Sequence, residues 1–151
     1  MSAKGERRRH RGWLVVGILF ALSVAVGILA YSRFITSDRR LRADLGRLAA
    51  EGRKLSVEGC VDATIRWSTR CAAMKSLCDA TTPQMMARCL GARDRTEYCR
   101  SLGDAGRDTH FGFKECKARG VDRKSKKTCA IAYRAIADHC DRLRARTEKQ
   151  K

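Results

Sequence analysis

The residues of this chain with the most evident chemistry are its eight cysteines. They are Cys60, Cys71, Cys78, Cys89, Cys99, Cys116, Cys129 and Cys140. Their number is even, and all of them follow a long apolar stretch near the N-terminus. This distribution predicts disulfide bonds in an oxidising compartment rather than reduced thiols. The connectivity stays open, because eight cysteines allow about a hundred pairings.

Three cysteine pairs share one spacing, CX10C. They are Cys60/Cys71, Cys78/Cys89 and Cys129/Cys140. Eleven residues span just over three turns of a helix, so both members of a pair face the same way if they lie on one helix. The spacing therefore predicts helices joined to neighbouring helices by two bridges each. The CX9C spacing of mitochondrial helical hairpins occurs between Cys89 and Cys99 without a second copy, and does not indicate that family.

Metal sites receive little support from the sequence. Zinc sites commonly contain paired ligands such as CxxC, which this chain lacks. His139 and Cys140 would point about 100° apart on a helix and could not share one ion. Soft copper ligands could come from four residues, Met74, Met85, Met86 and Cys89. Because methionine at helical spacing is more typical of core filling, we predict no metal and no cofactor.

Catalysis is also weakly indicated. A nucleophile needs an oriented base, and only His110 and His139 follow the apolar stretch. Exchange between thiols and disulfides usually relies on an exposed CxxC of low pKa, which is absent. We therefore predict a protein that is not an enzyme and assign no catalytic residue. A redox or metal-handling protein remains an alternative.

The formal net charge of +17 is the strongest signal for a binding partner. Such a charge attracts polyanions, including lipid head groups, anionic glycans and nucleic acid. The densest cluster consists of Lys114, Lys117, Arg119, Arg123, Lys124, Lys126 and Lys127. These residues could bind an anionic lipid or polymer, or could simply form a solvated face. Aromatic residues nearby are limited to Phe111 and Phe113, so we do not expect nucleic acid to be the partner.

The element that must position all of these residues is the apolar stretch from Trp13 to Tyr31. Its nineteen residues carry no charge, and as a helix they would span roughly 28 Å, close to the hydrocarbon thickness of a bilayer. We interpret them as a transmembrane helix. A cleaved signal peptide is the alternative, since Ser23 to Ala25 offer small residues at a suitable spacing. The continuation of the apolar run to Ala30 favours an uncleaved anchor.

Residues 1–12 form a basic head that we expect to be disordered and cytoplasmic. Five basic residues precede the span, as the positive-inside rule requires of a cytoplasmic segment. Further arginines follow the span closely, from Arg33 to Arg42, so charge alone does not decide the orientation. The cysteines decide it, because they favour an oxidising, extracytoplasmic location for the rest of the chain.

After the span we predict three regions. Residues 32–56 would form a juxtamembrane helical stalk with leucines at spacings of four and three, which packs on the following domain or pairs with a second copy. Residues 57–147 would form a cysteine-rich helical domain, and residues 148–151 a frayed tail.

Within the domain, the periodicity predicts one helix over residues 57–78 and a turn over residues 79–82. Thr82 would be the N-cap of the next helix, with Pro83 at its first position. The last helix should carry one buried stripe of residues at helical spacing, which are Cys129, Ala132, Tyr133, Ile136, Cys140 and Leu143.

The predicted fold is all-α: an N-terminal transmembrane helix followed by a small disulfide-stabilised helical domain. Large apolar residues are few after the span, so disulfides of about 2–4 kcal/mol each would supply much of its stability. We expect a single-pass protein of the cell membrane, with its C-terminal domain in a periplasm. Its expected role is that of a non-catalytic accessory protein, which binds another envelope protein. The alternative is the binding of an anionic polymer or lipid surface through the basic cluster.

Overall fold

The computed structural model describes residues 3–149, and in that range it is helical without strands. Six α-helices follow one another along the chain: α1 Ala3–Gly52, α2 Val57–Arg70, α3 Lys75–Leu90, α4 Thr96–Leu102, α5 Phe113–Ala118 and α6 Lys126–Glu148. A 3-10 helix, Gly103–Arg107, lies between α4 and α5. All eight cysteines form disulfides. The predicted all-α, disulfide-stabilised fold is confirmed.

The chain divides into two compact units between Thr36 and Ser37. In the first unit, α1 exposes its large apolar side chains, including Trp13 and Phe20. Its most apolar window has a mean hydropathy of 2.3, so this helix is long and apolar enough to cross a membrane. The head was predicted to be disordered, but α1 already begins at Ala3. Arginine, lysine and glutamate are good helix formers, which explains why the helix extends into the head.

In the second unit, α2, α3 and α6 pack on one another around a shared core. The largest fully buried side chains include Met85, Met86 and Ile136. Leu48, near the C-terminal end of α1, belongs to the same core, and Leu41 is also buried. These leucines agree with the prediction that the segment after the span packs on the domain. The stripe predicted on α6 is also buried, apart from Leu143, which is partly exposed.

The C-terminal end of α1 is held by a close approach and by a buried arginine. A Cβ at Gly52 would lie 2.5 Å from the backbone oxygen of Cys89, so only glycine fits there. Arg95 donates hydrogen bonds to the backbone oxygens of Gly52 at 3.0 Å and Leu55 at 2.8 Å. Carbonyls at a helix end have no partner within the helix, and this guanidinium supplies one.

The four disulfides form two nested pairs. Cys60–Cys89 encloses Cys71–Cys78, and Cys99–Cys140 encloses Cys116–Cys129. Both bridges of the first pair connect α2, or the residue that ends it, to α3. The prediction of two bridges between neighbouring helices therefore holds for α2 and α3. It also holds for α6, whose two cysteines bridge to two different neighbours, α4 and α5.

The prediction of one helix over residues 57–78 is wrong. On a continuous helix the Cα atoms of Cys71 and Cys78 would lie about 10 Å apart, too far for a disulfide. In the structure α2 ends at Arg70, Cys71 leaves the helical conformation, and α3 begins at Lys75. This break brings the two Cα atoms to 6.1 Å. Met74, the residue just before α3, is exposed.

The predicted turn over residues 79–82 is also wrong, because α3 runs through Pro83. The hydroxyls of Thr81 and Thr82 donate to the backbone oxygens of Leu77 and Cys78, four residues back, instead of capping a new helix. Pro83 lies on the exposed side of α3, where water can hydrogen-bond to the carbonyl that proline leaves without a donor. Helix α3 ends at Leu90, with Gly91 as its C-cap.

Candidate functional site

An open groove of about 780 Å³ lies between the segment around α5 and the first half of α6. Its lining combines apolar side chains with five cations. The lining residues are Thr109, Phe111, Phe113, Lys114, Cys116, Lys117, Lys126, Lys127, Ala130, Ile131 and Arg134. We call this feature the basic groove.

The apolar floor of the basic groove is formed by Phe111, Phe113, Ala130 and Ile131. Gly112 positions the two phenylalanines. This glycine has a φ of 92°, and a Cβ at its position would lie 2.7 Å from the Cβ of Tyr133. Its backbone N–H donates to Glu115 Oε2 at 2.7 Å, which holds the turn into α5. The turn lets Phe111 pack edge-to-face on Tyr133, with ring centroids 5.6 Å apart. Phe113 stays 69% exposed, a large apolar surface for one side chain.

The cations lie along both sides of the basic groove. Lys114 and Lys117 come from α5, one turn apart. On α6, Lys127, Ile131 and Arg134 follow one another at spacings of four and three, which places them on one face of the helix. The arrangement brings positive charge next to exposed apolar surface.

The structure brings together four of the seven basic residues predicted to bind a polyanion: Lys114, Lys117, Lys126 and Lys127. Arg123 and Lys124 are exposed in the loop before α6 but do not line the groove. Arg134 lines it and was missed by the sequence analysis. Its position seven residues after Lys127, on the same helical face, is the signal that could have found it.

Arg119 is the exception in the predicted cluster, because it is engaged in a network that joins three helices. Its guanidinium pairs with Asp62 and Glu58 of α2, and its Nε donates to the hydroxyl of Tyr133 on α6 at 2.9 Å. That hydroxyl donates in turn to Glu58 Oε2 at 2.7 Å. Burial alone would lower the pKa of Arg119, but its bonds to Tyr133 and Glu58 outweigh burial and raise it.

The pKa of a neighbouring tyrosine is also shifted, in this case mainly by burial. Burial, together with the negative charges of Glu58 and Glu115, raises the pKa of Tyr98 to about 12. Burial and the hydrogen bond to Glu58 also raise the pKa of Tyr133. Both phenols are therefore neutral at physiological pH, and the network clamps α2, α6 and the C-terminal end of α5 together.

The residues weighed as metal ligands are separated in the structure. Cys140 is bonded to Cys99, and Cys89 to Cys60. Met85 and Met86 are fully buried in the core, whereas Met74 is exposed. Within residues 3–149, no group of three histidine, cysteine, aspartate or glutamate side chains is placed to hold a metal ion.

His139 is half-buried on α6 beside a strongly basic environment. Burial lowers its pKa, and the positive charges of Arg142, Arg95 and Arg146 lower it further. The imidazole is therefore held in its neutral form at lower pH than a free histidine would be.

A second, smaller groove lies where α1 meets α2. It is lined by Asp44, Arg47, Leu48, Glu51, Ala63, Arg66, Trp67 and Arg70, and has a volume of about 320 Å³. Trp67 Nε1 donates to Asp44 Oδ2 at 3.0 Å across it. Acidic and basic side chains are mixed there, so this groove has no charge of one sign comparable to that of the basic groove.

Comparison with known protein families, curated proteins and solved structures yields no match to this chain.

Proposed function

We propose that this protein is a membrane-anchored, non-catalytic binding module of the cell envelope, with its helical domain outside the cytoplasm. The observation that carries the proposal is the engagement of all eight cysteines in four disulfides. Structural disulfides persist in oxidising compartments and are rare in the cytosol. The apolar stretch of α1 supports the anchor.

The proposed orientation places the N-terminus in the cytoplasm and the domain in a periplasm. Five basic residues precede the apolar stretch, which favours retention of the head on the cytoplasmic side. This topology puts every cysteine on the side where oxidation occurs. It also keeps the domain close to other proteins of the membrane, and we propose that one of them is its partner.

Topology is tested in cells with the full-length chain fused at its C-terminus to alkaline phosphatase or to a fluorescent protein that matures only in the cytosol. We expect phosphatase activity and no fluorescence. In parallel, denatured protein is alkylated before and after reduction and weighed by mass spectrometry. We expect no adducts before reduction and eight after it. A fluorescent C-terminus, or eight adducts without reduction, contradicts the proposal.

The partner is tested by purification of the full-length protein from cell membranes at high salt, without cross-linking. A membrane protein that co-purifies in fixed stoichiometry supports the accessory role. Complete loss of co-purifying proteins at high salt contradicts it, because a specific protein interface retains its apolar contacts when charges are screened.

A second candidate function, binding of an anionic lipid or polymer, is favoured by the basic groove. Five cations line one open surface there. Electrostatic attraction of this kind weakens strongly with salt, which separates it experimentally from a protein interface.

A further inference from the structure

We infer that the basic groove binds an anionic amphiphile: a lipid whose acyl chain lies against the apolar floor and whose carboxylate or phosphate is held by the lysines. The inference deepens the second candidate function, since it names the class of ligand. It does not depend on the orientation of the protein in the membrane.

The apolar floor argues for an acyl chain. Phe113 exposes 69% of its surface although the nearby Phe111 is packed against Tyr133. Ile131 and Ala130 of α6 extend this apolar surface along the groove. Burying such surface under an acyl chain is favourable, because it removes apolar area from water. A ligand made only of charged groups would leave the floor exposed to water.

The charge of the rim argues for an anionic head group. Of the five cations, only Lys127 forms an ion pair among the described residues. Its Nζ lies 3.8 Å from Asp79 Oδ2, and the Lys127 side chain is 75% exposed. Lys114 and Lys117 face the groove from α5, while Lys126 and Arg134 face it from α6. A carboxylate or phosphate between the two helices would therefore be attracted from both sides.

The size of the groove argues for a small ligand rather than a folded protein. Its volume of about 780 Å³ lies within the range of roughly 300–1,000 Å³ typical of pockets for small molecules. An acidic amphipathic peptide is the competing occupant, and the experiment treats it as a separate outcome.

The experiment uses the full-length protein in nanodiscs of phosphatidylcholine, a lipid without net charge. A long-chain fatty acid that carries a photoreactive diazirine is added, irradiated, and located by peptide mapping. Labels in α1 report partition into the bilayer, whereas labels in residues 109–117 and 126–134 report the groove. We expect groove labelling at least fivefold above that of a fatty alcohol of equal length, and a strong decrease at high salt.

Competition identifies the part of the ligand that is recognised. We expect dodecyl phosphate to displace the fatty acid from the groove and inorganic phosphate at the same concentration not to displace it. Displacement by both compounds, at equal concentrations, contradicts the inference, because the site would then recognise phosphate without a chain.

Matched variants separate the groove from general charge. The double variant K114Q/K117Q removes two groove cations, and R123Q/K124Q removes two cations of the loop outside it. We expect groove labelling to fall at least fivefold in the first and to stay within twofold in the second. F113Q, at an exposed position, should also lower it at least threefold. Disulfide mapping confirms that each variant retains the four native bridges.

The inference is overturned by equal labelling by the acid and the alcohol, by no labelling of the groove, or by no effect of K114Q/K117Q. A polyphosphate chain, or an acidic peptide, that binds equally well to F113Q and to the parent protein also overturns it. These failures leave the proposed topology untouched, since fusions and alkylation measure topology independently.

Discussion

At the scale of single residues, Arg119 shows why a basic residue in a basic cluster need not bind a ligand. Its charge is matched within the fold by Glu58 and Asp62, and its Nε is bonded to Tyr133. Only 21% of its side chain is exposed. The sequence could not separate it from its neighbours, because its two carboxylate partners lie about sixty residues away on α2.

Replacing Arg119 by glutamine should destabilise the domain by about 1–2 kcal/mol. The change removes hydrogen bonds to charged groups, but the half-exposed carboxylates of Glu58 and Asp62 can be hydrated in compensation. The measurement is urea unfolding of the full-length protein in detergent, followed by tryptophan fluorescence. The control R123Q changes an exposed arginine and should remain within about 0.5 kcal/mol of the parent. Equal stabilities for the two variants would contradict the clamp.

His139 should make the stability of the domain depend on pH. Because its pKa is lowered on folding, the unfolded chain binds the proton more readily, and stability is lost as pH falls below the unfolded value of about 6.5. Above about pH 6.5, His139 makes its full contribution to the free energy of unfolding. We expect the free energy of unfolding to decrease from pH 7 to pH 5 in the parent, and to decrease less in H139Q.

The control for this measurement is H110Q, which removes a histidine whose side chain is 75% exposed. H110Q should flatten the profile less than H139Q does. If H110Q flattened the profile as much as H139Q, the burial of His139 would not be the cause of the loss of stability at low pH.

At the scale of elements, the turn into α5 depends on Gly112. Alanine there would have to adopt a positive φ and would meet the Cβ of Tyr133, so we expect G112A to cost about 1–3 kcal/mol. The variant should also displace Phe113 and weaken labelling of the basic groove. Gly120 also has a positive φ, but a Cβ there meets nothing within 4 Å. G120A is therefore the control: it should destabilise less than G112A and leave groove labelling unchanged.

The elements that the sequence predicted well are those whose pattern is local. The stripe on α6 repeats at helical spacing, and its members are buried except Leu143, which is partly exposed. The end of α3 at Gly91 has a local signal as well. The break at Cys71 could not be predicted, because the periodicity of residues 60–78 is uninterrupted. It follows from the pairing of Cys71 with Cys78, which spacing alone does not give.

The candidate site was predicted in part for a related reason. Lys114, Lys117, Lys126 and Lys127 were found by their density in the sequence. Arg134 and the apolar floor were missed as parts of the site, because they join it only when α5 folds against α6. The Cys116–Cys129 bridge connects these two helices. A surface formed by two elements is visible only when their packing is known.

At the scale of the whole molecule, the disulfides should contribute unequally to stability. Loop-closure entropy grows with the length of chain enclosed, and the bridges span 7 residues for Cys71–Cys78 and 41 for Cys99–Cys140. Replacing both cysteines of a bridge by alanine should therefore cost about 2 kcal/mol for the short loop and about 4 kcal/mol for the long one. Urea unfolding of the two variants in detergent measures the difference. A larger loss for the short loop would contradict this ranking.

The nested arrangement of the disulfides has a consequence for biogenesis. In the proposed topology the segment after the span crosses the membrane starting from its span-proximal end. It therefore presents Cys71 to Cys60 before Cys89 has emerged, and Cys116 to Cys99 before Cys140. Oxidation in order of appearance would therefore join the wrong partners in each half of the domain. Reaching the native pairs from those bonds requires attack by a free thiolate on an existing bridge. Maturation of this protein should accordingly depend on an isomerase that reshuffles disulfides, and not on an oxidant alone.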